Sequence, residues 1–360
     1  MKYLFDIGHP AHVHYFKNLM LALQAKGHEI RITARDKEIS LYLLNKYGFE
    51  YICTSKNRSS ILGKGTSLIK NDYIIYKEAK KFNPDILISF FLPFPSHVGR
   101  LLKKPVIGFT DTEHATLNRL LSERFANIIV TPSCYKNDFP KNKHIKFDGY
   151  FELAYLHPNY FTPDSSVLDY FGVEKDEKYI IIRFVSWQAS HDIGHSGLSL
   201  DMKRKIVNEL SKYARVFISS EGGLPDDLKR YQIKIPPEKI HDVLSFATLF
   251  IGEGGTMSTE CALLGTPNIL INPLSKKVGI HHELQDTYKL KFYFDDINAA
   301  QEKILELLHD ENIRLIWQER RQRMLSDKID VTAFMVWFVE NYPDSVSLIK
   351  ENENFQLRFK

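Results

Sequence analysis

The sequence predicts an α/β protein built as two facing, doubly wound parallel-sheet domains with a cleft between them. Three observations carry that prediction. The chain has 360 residues, more than one hydrophobic core usually supports. Short buried-type strands alternate with helical patterns, which implies parallel sheets. The alternation also runs twice, on either side of an irregular stretch holding Pro158 and Pro163.

In the first run, Lys2 to Ile7 is strand-like, and Phe16, Leu19, Met20 and Leu23 follow at helical spacing before Gly27, a helix stop. Strand Glu29 to Ala34, helix Lys37 to Lys46, strand Tyr51 to Thr54 and helix Leu68 to Lys80 come next. Strands Ile86 to Phe90, Val106 to Thr110 and Ile128 to Thr131 close this half. The second run has strands Ile180 to Phe184, Val216 to Ser219, Leu249 to Gly252 and Asn268 to Asn272. Its helices fall near Met202 to Tyr213, Pro237 to Phe246 and Met257 to Leu264. Helical patterns over Ile297 to Leu308, Ile313 to Leu325 and Val331 to Tyr342 finish the chain. The expected division is 1–150 as the first domain, 151–178 as a hinge and 179–328 as the second domain. A helix over 329–345 packs back on the first domain, and 346–360 is a tail.

Composition narrows the function. Forty-eight basic against 44 acidic residues leave a net charge of +4, too little for a molecule-wide nucleic-acid binder. Cys53, Cys134 and Cys261 form neither a metal spacing nor a disulfide framework, which suits a cytoplasmic setting. No signal peptide is expected, and no run reaches the roughly 18 apolar residues a membrane span needs.

Ligands of doubly wound sheets bind at strand-to-helix loops, so those loops carry most weight. Gly252-Glu253-Gly254-Gly255-Thr256-Met257-Ser258-Thr259-Glu260 runs from a strand through glycines into a helix. Such a layout suits a phosphate, because glycines admit the anion and the helix N–H groups and dipole oppose its charge. Thr256 and Ser258 can cap the helix or donate to a phosphate oxygen. Glu260, one turn in, is placed for ribose hydroxyls rather than phosphate. A plain glycine turn fits the same residues. The loop lacks a Walker ending and a GxGxxG fingerprint, so ATP hydrolysis and nicotinamide chemistry lose support.

With Gly265 and Pro267 following, this segment resembles the donor-site helix of the peptidoglycan N-acetylglucosaminyltransferase and the UDP-N-acetylglucosamine 2-epimerases. More closely, the chain to about residue 340 resembles a prokaryotic domain-of-unknown-function family, number 354. The phrases that carry this likeness are Phe5-Asp6-Ile7, His12-Val13, Asp111-Thr112-Glu113-His114-Ala115, Gly149 to Tyr155, Arg183 to Trp187, Ser190 to Gly194 and Leu264 to Pro267. The resemblance implies the GT-B architecture, with Gly254, Gly255 and Thr256 holding a diphosphate and Glu260 the ribose. After Pro273 the transferases carry glutamines that meet the donor sugar. This chain departs from them with His281, His282 and Glu283.

Other loops offer matching chemistry. Ser186, Trp187, Ser190 and His191 lie on the first loop of the second domain; they can oppose the glycine loop and stack on a base or sugar, or simply form a capped surface loop. Ile240 and His241 stand where the relatives hold the nucleobase, and equally at an ordinary helix start. In the first domain, His9, His12 and His14 follow strand one. His12 aligns with the histidine of the Gly-His-Val phrase of the peptidoglycan transferase and is expected as general base, with acceptor binding or helix capping as the other roles. Asp111, Glu113 and His114 can do acid/base work or bind acceptor hydroxyls. Lys56, Arg58, Lys64 and Lys70 read as a long mobile charged loop, and Phe90 to Pro95 as strand-end packing or a membrane-touching lip.

The expected activity is a metal-independent glycosyltransferase using a nucleoside diphosphate sugar, UDP-linked, in cell-surface polysaccharide or glycoconjugate synthesis. No cofactor beyond that substrate, no metal and no nucleic acid is expected. The acceptor is a saccharide or lipid-linked, reached through peripheral contact with the inner membrane face. The alternatives are a sugar-nucleotide 2-epimerase using Asp111, Glu113 and His195, and a non-catalytic sugar-nucleotide binder or assembly protein.

Overall fold

The computed structural model describes the backbone of residues 1–56, 61–185 and 198–360, and their side chains apart from 55–56 and 61–70. The chain divides into two compact units, Met1–Tyr155 with Lys328–Lys360, and Leu156–Asp327.

The first unit is built on a seven-stranded sheet in the order β3-β2-β1-β4-β5-β6-β7. Its strands are β1 (Lys2–Ile7), β2 (Glu29–Asp36), β3 (Ile52–Lys56), β4 (Ile86–Ser89), β5 (Val106–Phe109), β6 (Ile128–Pro132) and β7 (His144–Phe147). Every pairing is parallel. The helices are α1 (Pro10–Ala25), α2 (Ser40–Lys46), α3 (Ile61–Phe82), α4 (Pro93–Leu102) and α5 (Thr116–Ser122). Alternate residues of β1 serve opposite faces, as strand geometry requires. Phe5 packs on Phe16 of α1, with ring centroids 5.5 Å apart, while Leu4 joins Leu87, Ile75 of α3 and Phe94 and Val98 of α4.

The second unit holds a five-stranded sheet in the order β12-β11-β10-β8-β9. Its strands are β8 (Tyr179–Phe184), β9 (Arg215–Ser220), β10 (Leu249–Gly252), β11 (Asn268–Ile271) and β12 (Phe292–Phe294), again all parallel. The strand order turns back between β1 and β4 in the first sheet and between β8 and β10 in the second. Loops leaving those strands are where doubly wound sheets bind ligands.

Several expectations need correction. Residues 346–360 are not a tail: Asp344–Glu351 and Glu353–Phe359 are helical, and Phe359 packs against Phe334 and Trp337. Aromatics at Phe355 and Phe359, four apart, give that end something to bury. Of the expected hinge, Phe151 to Tyr155 are core residues of the first unit. The charged loop around Lys64 and Lys70 is helical backbone, because α3 starts at Ile61; the side chains there, with those of Lys56 and Arg58, lie outside the described residues. Phe90, Phe91, Leu92 and Phe94 are buried, which makes that segment packing rather than a lip.

The Val331–Glu340 helix is capped by Asp330, whose carboxylate accepts from Ala333 N at 2.9 Å. Among the described residues, no helix is long and apolar enough to cross a membrane.

Candidate functional site

In the second unit, Gly252 ends β10 and Gly254 is the N-cap of the Gly255–Leu264 helix. Among the described residues no side chain caps that helix, so its first N–H groups and positive dipole end face outward from a glycine turn. Residue 255 is closely packed: a Cβ there would lie 3.1 Å from His281 Nε2. Thr256 is exposed at the helix start.

Ser258 does not serve a phosphate. It lies one turn deeper, fully buried, and its hydroxyl donates to Asn268 Oδ1 at 2.7 Å. Glu260 and His241 are both buried and meet each other, with Glu260 Oε1 3.0 Å from His241 Nε2. Ile240, beside His241, is half-buried. His281 packs under the helix start, where its Nδ1 stands 3.0 Å from Nζ of the fully buried Lys291, which also donates to Thr259. An ammonium group only donates, so Nδ1 accepts and Nε2 carries the ring hydrogen toward Gly255. His282 is tied to Lys276 O at 2.9 Å, and the Glu283 carbonyl accepts from Tyr288 N.

Ser186, Trp187, Ser190 and His191 lie outside the described residues. A residue not foreseen as functional flanks that segment: Glu253, buried, accepts from Val185 N at 3.1 Å and Leu198 N at 2.7 Å. Its signal in the sequence is a carboxylate set between glycines at a strand end.

In the first unit, His9 caps α1 by accepting from Ala11 N at 3.2 Å. His12 is buried, 4.9 Å from the Phe90 ring, and its Nδ1 accepts from Gly8 N at 3.3 Å. Burial, then the neighbouring His9, Arg35 and Lys37, hold its pKa well below the ordinary histidine value, so the ring is neutral. With Nδ1 accepting, Nε2 bears the hydrogen. His12 therefore offers a donor where a general base was expected. His14 is a packing residue, buried between Tyr155 and Tyr47 at 5.1 and 6.0 Å.

Asp111 and Glu113 follow β5. Burial pushes the Asp111 carboxyl up to about 7 against the Thr112 hydroxyl, which donates to it at 2.9 Å; the Glu113 charge adds to the rise. Glu113 accepts from Lys136 N at 3.2 Å. Burial and these two carboxylates push Tyr135 up to about 12, which puts all three groups in one locality. His114 beside them is half-buried. A carboxyl titrating near neutrality is suited to proton transfer. Among the described residues, no group of three His, Cys, Asp or Glu stands together to hold a metal.

Two parallel, doubly wound units place this protein in the GT-B fold class, which comparison with solved structures bears out. A UDP-GlcNAc 2-epimerase from Neisseria meningitidis, bound to UDP-GlcNAc, aligns over 88% of this chain and 94% of its own, with 13% identity and a TM-score of 0.62. MurG of Acinetobacter baumannii aligns over 94% and 99%, with 16% identity and a TM-score of 0.58. A glycosyltransferase of Streptomyces sp. SF2575 aligns over 95% and 100%, with 12% identity and a TM-score of 0.60. Residues 1–344 match the family described as "Protein of unknown function (DUF354)", and the chain belongs to that family. An uncharacterised protein of Methanocaldococcus jannaschii is 26% identical over 288 residues, covering 74% of this chain and 81% of the relative.

Proposed function

We propose that this chain is a glycosyltransferase that binds a nucleoside diphosphate sugar, UDP-linked, in its second unit and passes the sugar to a saccharide or lipid-linked acceptor in cell-surface glycoconjugate synthesis. The observation that carries this reading is the uncapped helix start at Gly254, Gly255 and Thr256, with the buried Glu260–His241 pair one turn further in. Outward N–H groups, the Thr256 hydroxyl and the His281 Nε2–H supply donors to a departing diphosphate, the electrostatic support that lowers such barriers most. That set serves the leaving group without a dedicated metal. His241 orients the Glu260 carboxylate, the group this reading assigns to the ribose hydroxyls.

In the first unit, Asp111 is the group suited to take the acceptor proton, since it titrates to about 7. His12 Nε2–H positions an oxygen by donating to it. A sugar-nucleotide 2-epimerase is the second reading, favoured by the neighbouring carboxylates Asp111 and Glu113, a pair that can divide acid and base roles. Turnover of a nucleotide sugar with no acceptor present, followed by NMR, distinguishes the two.

The test of the site is thermal stability with UDP, GDP, CMP, dTDP and their sugar conjugates, for wild type and Glu260→Gln. A ligand at about 100 times its Kd adds roughly 2.7 kcal/mol. One nucleotide series should stabilise wild type and stabilise the variant less. If no nucleotide shifts the transition at millimolar concentration, both enzymatic readings fall.

A further inference from the structure

Buried polar atoms without partners gather at one place in the first unit, beside the β1 end whose Arg35 also bears on His12. Asp6 Oδ2, Arg35 Nε, Asn71 Oδ1, Asp72 Oδ1 and Ser89 Oγ all lack a hydrogen-bond partner among the described residues. The register makes them neighbours. Asp6 pairs with Thr33 of β2 on one side and Ser89 of β4 on the other, and Arg35 lies two residues beyond Thr33 on the same strand. Ile75 of α3 packs over Leu4 and Leu87. Asn71 is one turn earlier on that helix, which brings it over the next pair along those strands, Asp6 and Ser89.

The group is enclosed, with Asp6 at 1%, Ser89 at 0% and Asn71 at 4% exposure. Toward solvent, Arg35 is half-buried, and the Asp72 side chain retains 33% of its surface beside His97. Arg35 and Asp6 feel each other's charge, yet no ion pair joins them. A Cβ at Gly8 would lie 2.0 Å from Arg35 Nη2, so the guanidinium sits against the β1 loop. The cluster also lies at β1 and β4, where the strand order reverses, the position at which doubly wound sheets take ligands.

The unsatisfied atoms select a chemistry. Asp6 Oδ2, Asn71 Oδ1 and Asp72 Oδ1 accept hydrogen bonds, Arg35 Nε donates, and Ser89 Oγ does either. A phosphate or carboxylate would meet acceptors with acceptors, and an ammonium would face the guanidinium. Hydroxyl groups, each able to donate and accept, fit both sides. We propose that Asp6, Arg35, Asn71, Asp72 and Ser89 form a binding subsite for a polyhydroxylated ligand, the vicinal diol of a saccharide ring bridging the carboxylate and guanidinium that do not reach each other. This assignment takes the saccharide class from the sugar-transfer reading. Buried polar atoms left unpaired cost stability, and such departures from good folding practice concentrate at functional sites.

The test needs no nucleotide, so its failure is separable from failure of the donor site. Methyl glycosides of glucose, galactose and N-acetylglucosamine are titrated into the full chain while backbone amide NMR signals are followed. At least one glycoside should move signals of β1, β4 and Asn71. Ser89→Ala and Asn71→Leu should each weaken that binding about tenfold, as loss of one good hydrogen bond does, while the melting temperature holds or rises. Two results overturn the proposal: no glycoside moving those signals at about 50 mM, far above the millimolar range of weak specific binding, or binding undiminished in both variants. The first would mean that water alone satisfies these atoms.

Discussion

Replacing Asp6 with asparagine removes a buried carboxyl whose ionisation works against the fold. Burial, more than anything else, raises it from an ordinary 3.8 to about 6; the Asp72 charge adds to the rise, while Arg35 and the Thr33 hydroxyl, which donates to Oδ1 at 2.7 Å, oppose it. An acid whose folded value is raised binds more protons folded than unfolded between those two values. Stability therefore falls as pH rises from about 4 through about 6, and the loss is complete above that. A shift of about two units corresponds to roughly 3 kcal/mol. Asparagine never ionises, and its Oδ1 still accepts from Thr33.

Asp6→Asn should therefore be more stable than wild type by about 2 to 3 kcal/mol at pH 8, with the difference vanishing near pH 4. Hydrogen exchange of the β1 amides, compared between the two proteins at the same pH, measures this where it occurs. At pH 8 the variant should exchange about a hundredfold more slowly, because exchange of core strands reports their opening free energy. A difference that does not change with pH, or faster exchange in the variant at pH 8, would refute the electrostatic argument. The same comparison bears on the saccharide subsite, since a charge kept at such cost has been kept for something other than stability.

Two further outcomes are expected. Glu253→Ala leaves the N–H groups of Val185 and Leu198 without their acceptor and should cost the second unit about 2 to 4 kcal/mol, read as a lower melting temperature. Glu253→Gln, which keeps one acceptor oxygen, should cost less, and an alanine variant as stable as wild type would show that these bonds contribute nothing. At the amino ends of β5 and β6, Arg100, Lys103, Lys104, Arg124 and Lys143 line a recess of about 830 Å³ with no carboxylate in its wall, and Leu101, Leu117 and Leu120 stand exposed nearby on α4 and α5. Sedimentation with phosphatidylglycerol vesicles, but not phosphatidylcholine, should follow, and Arg100→Glu with Lys104→Glu should weaken it about thirtyfold or more at about 1 kcal/mol per basic residue; binding that ignores these charges removes the case for membrane contact.

Much of the fold was legible because its signals are local. The apolar runs of β1, β8 and β10 need burial on both faces, and Gly265 ends its helix at φ +74°, a conformation glycine adopts freely. What escaped reading lacked such signals. β7 is four residues, His-Ile-Lys-Phe, and β12 is three, too short to show a period. α4 opens Pro-Phe-Pro-Ser, which reads as a break, although proline at a helix start is well tolerated. The C-terminal 15 residues read as a tail because the polar run Lys350 to Asn354 interrupts their apolar pattern, yet Gln356 Oε1 accepts from Asp148 N at 2.7 Å and the Phe359 carbonyl from Asp330 N at 2.7 Å.

The candidate sites divide along the same line, between what a residue can do and which partner it finds. The glycine turn before the Gly255–Leu264 helix was readable, since strand, glycines and helix start lie in succession. Partner choice was not, because it depends on the direction a side chain takes around the helix. At 100° per residue, Thr256 and Ser258 point about 200° apart, and the first is exposed while the second is spent on Asn268. His241 was read as a base contact and instead meets Glu260, 19 residues away. The cluster at Asp6 is the extreme case, assembled from β1, β2, α3 and β4. Of its residues only Asp6 falls in a phrase the sequence singles out, Phe5-Asp6-Ile7, and only the register that sets Asp6 between Thr33 and Ser89 makes one group of them. Its signature is unpaired buried atoms, a property of the fold that no single segment of sequence carries.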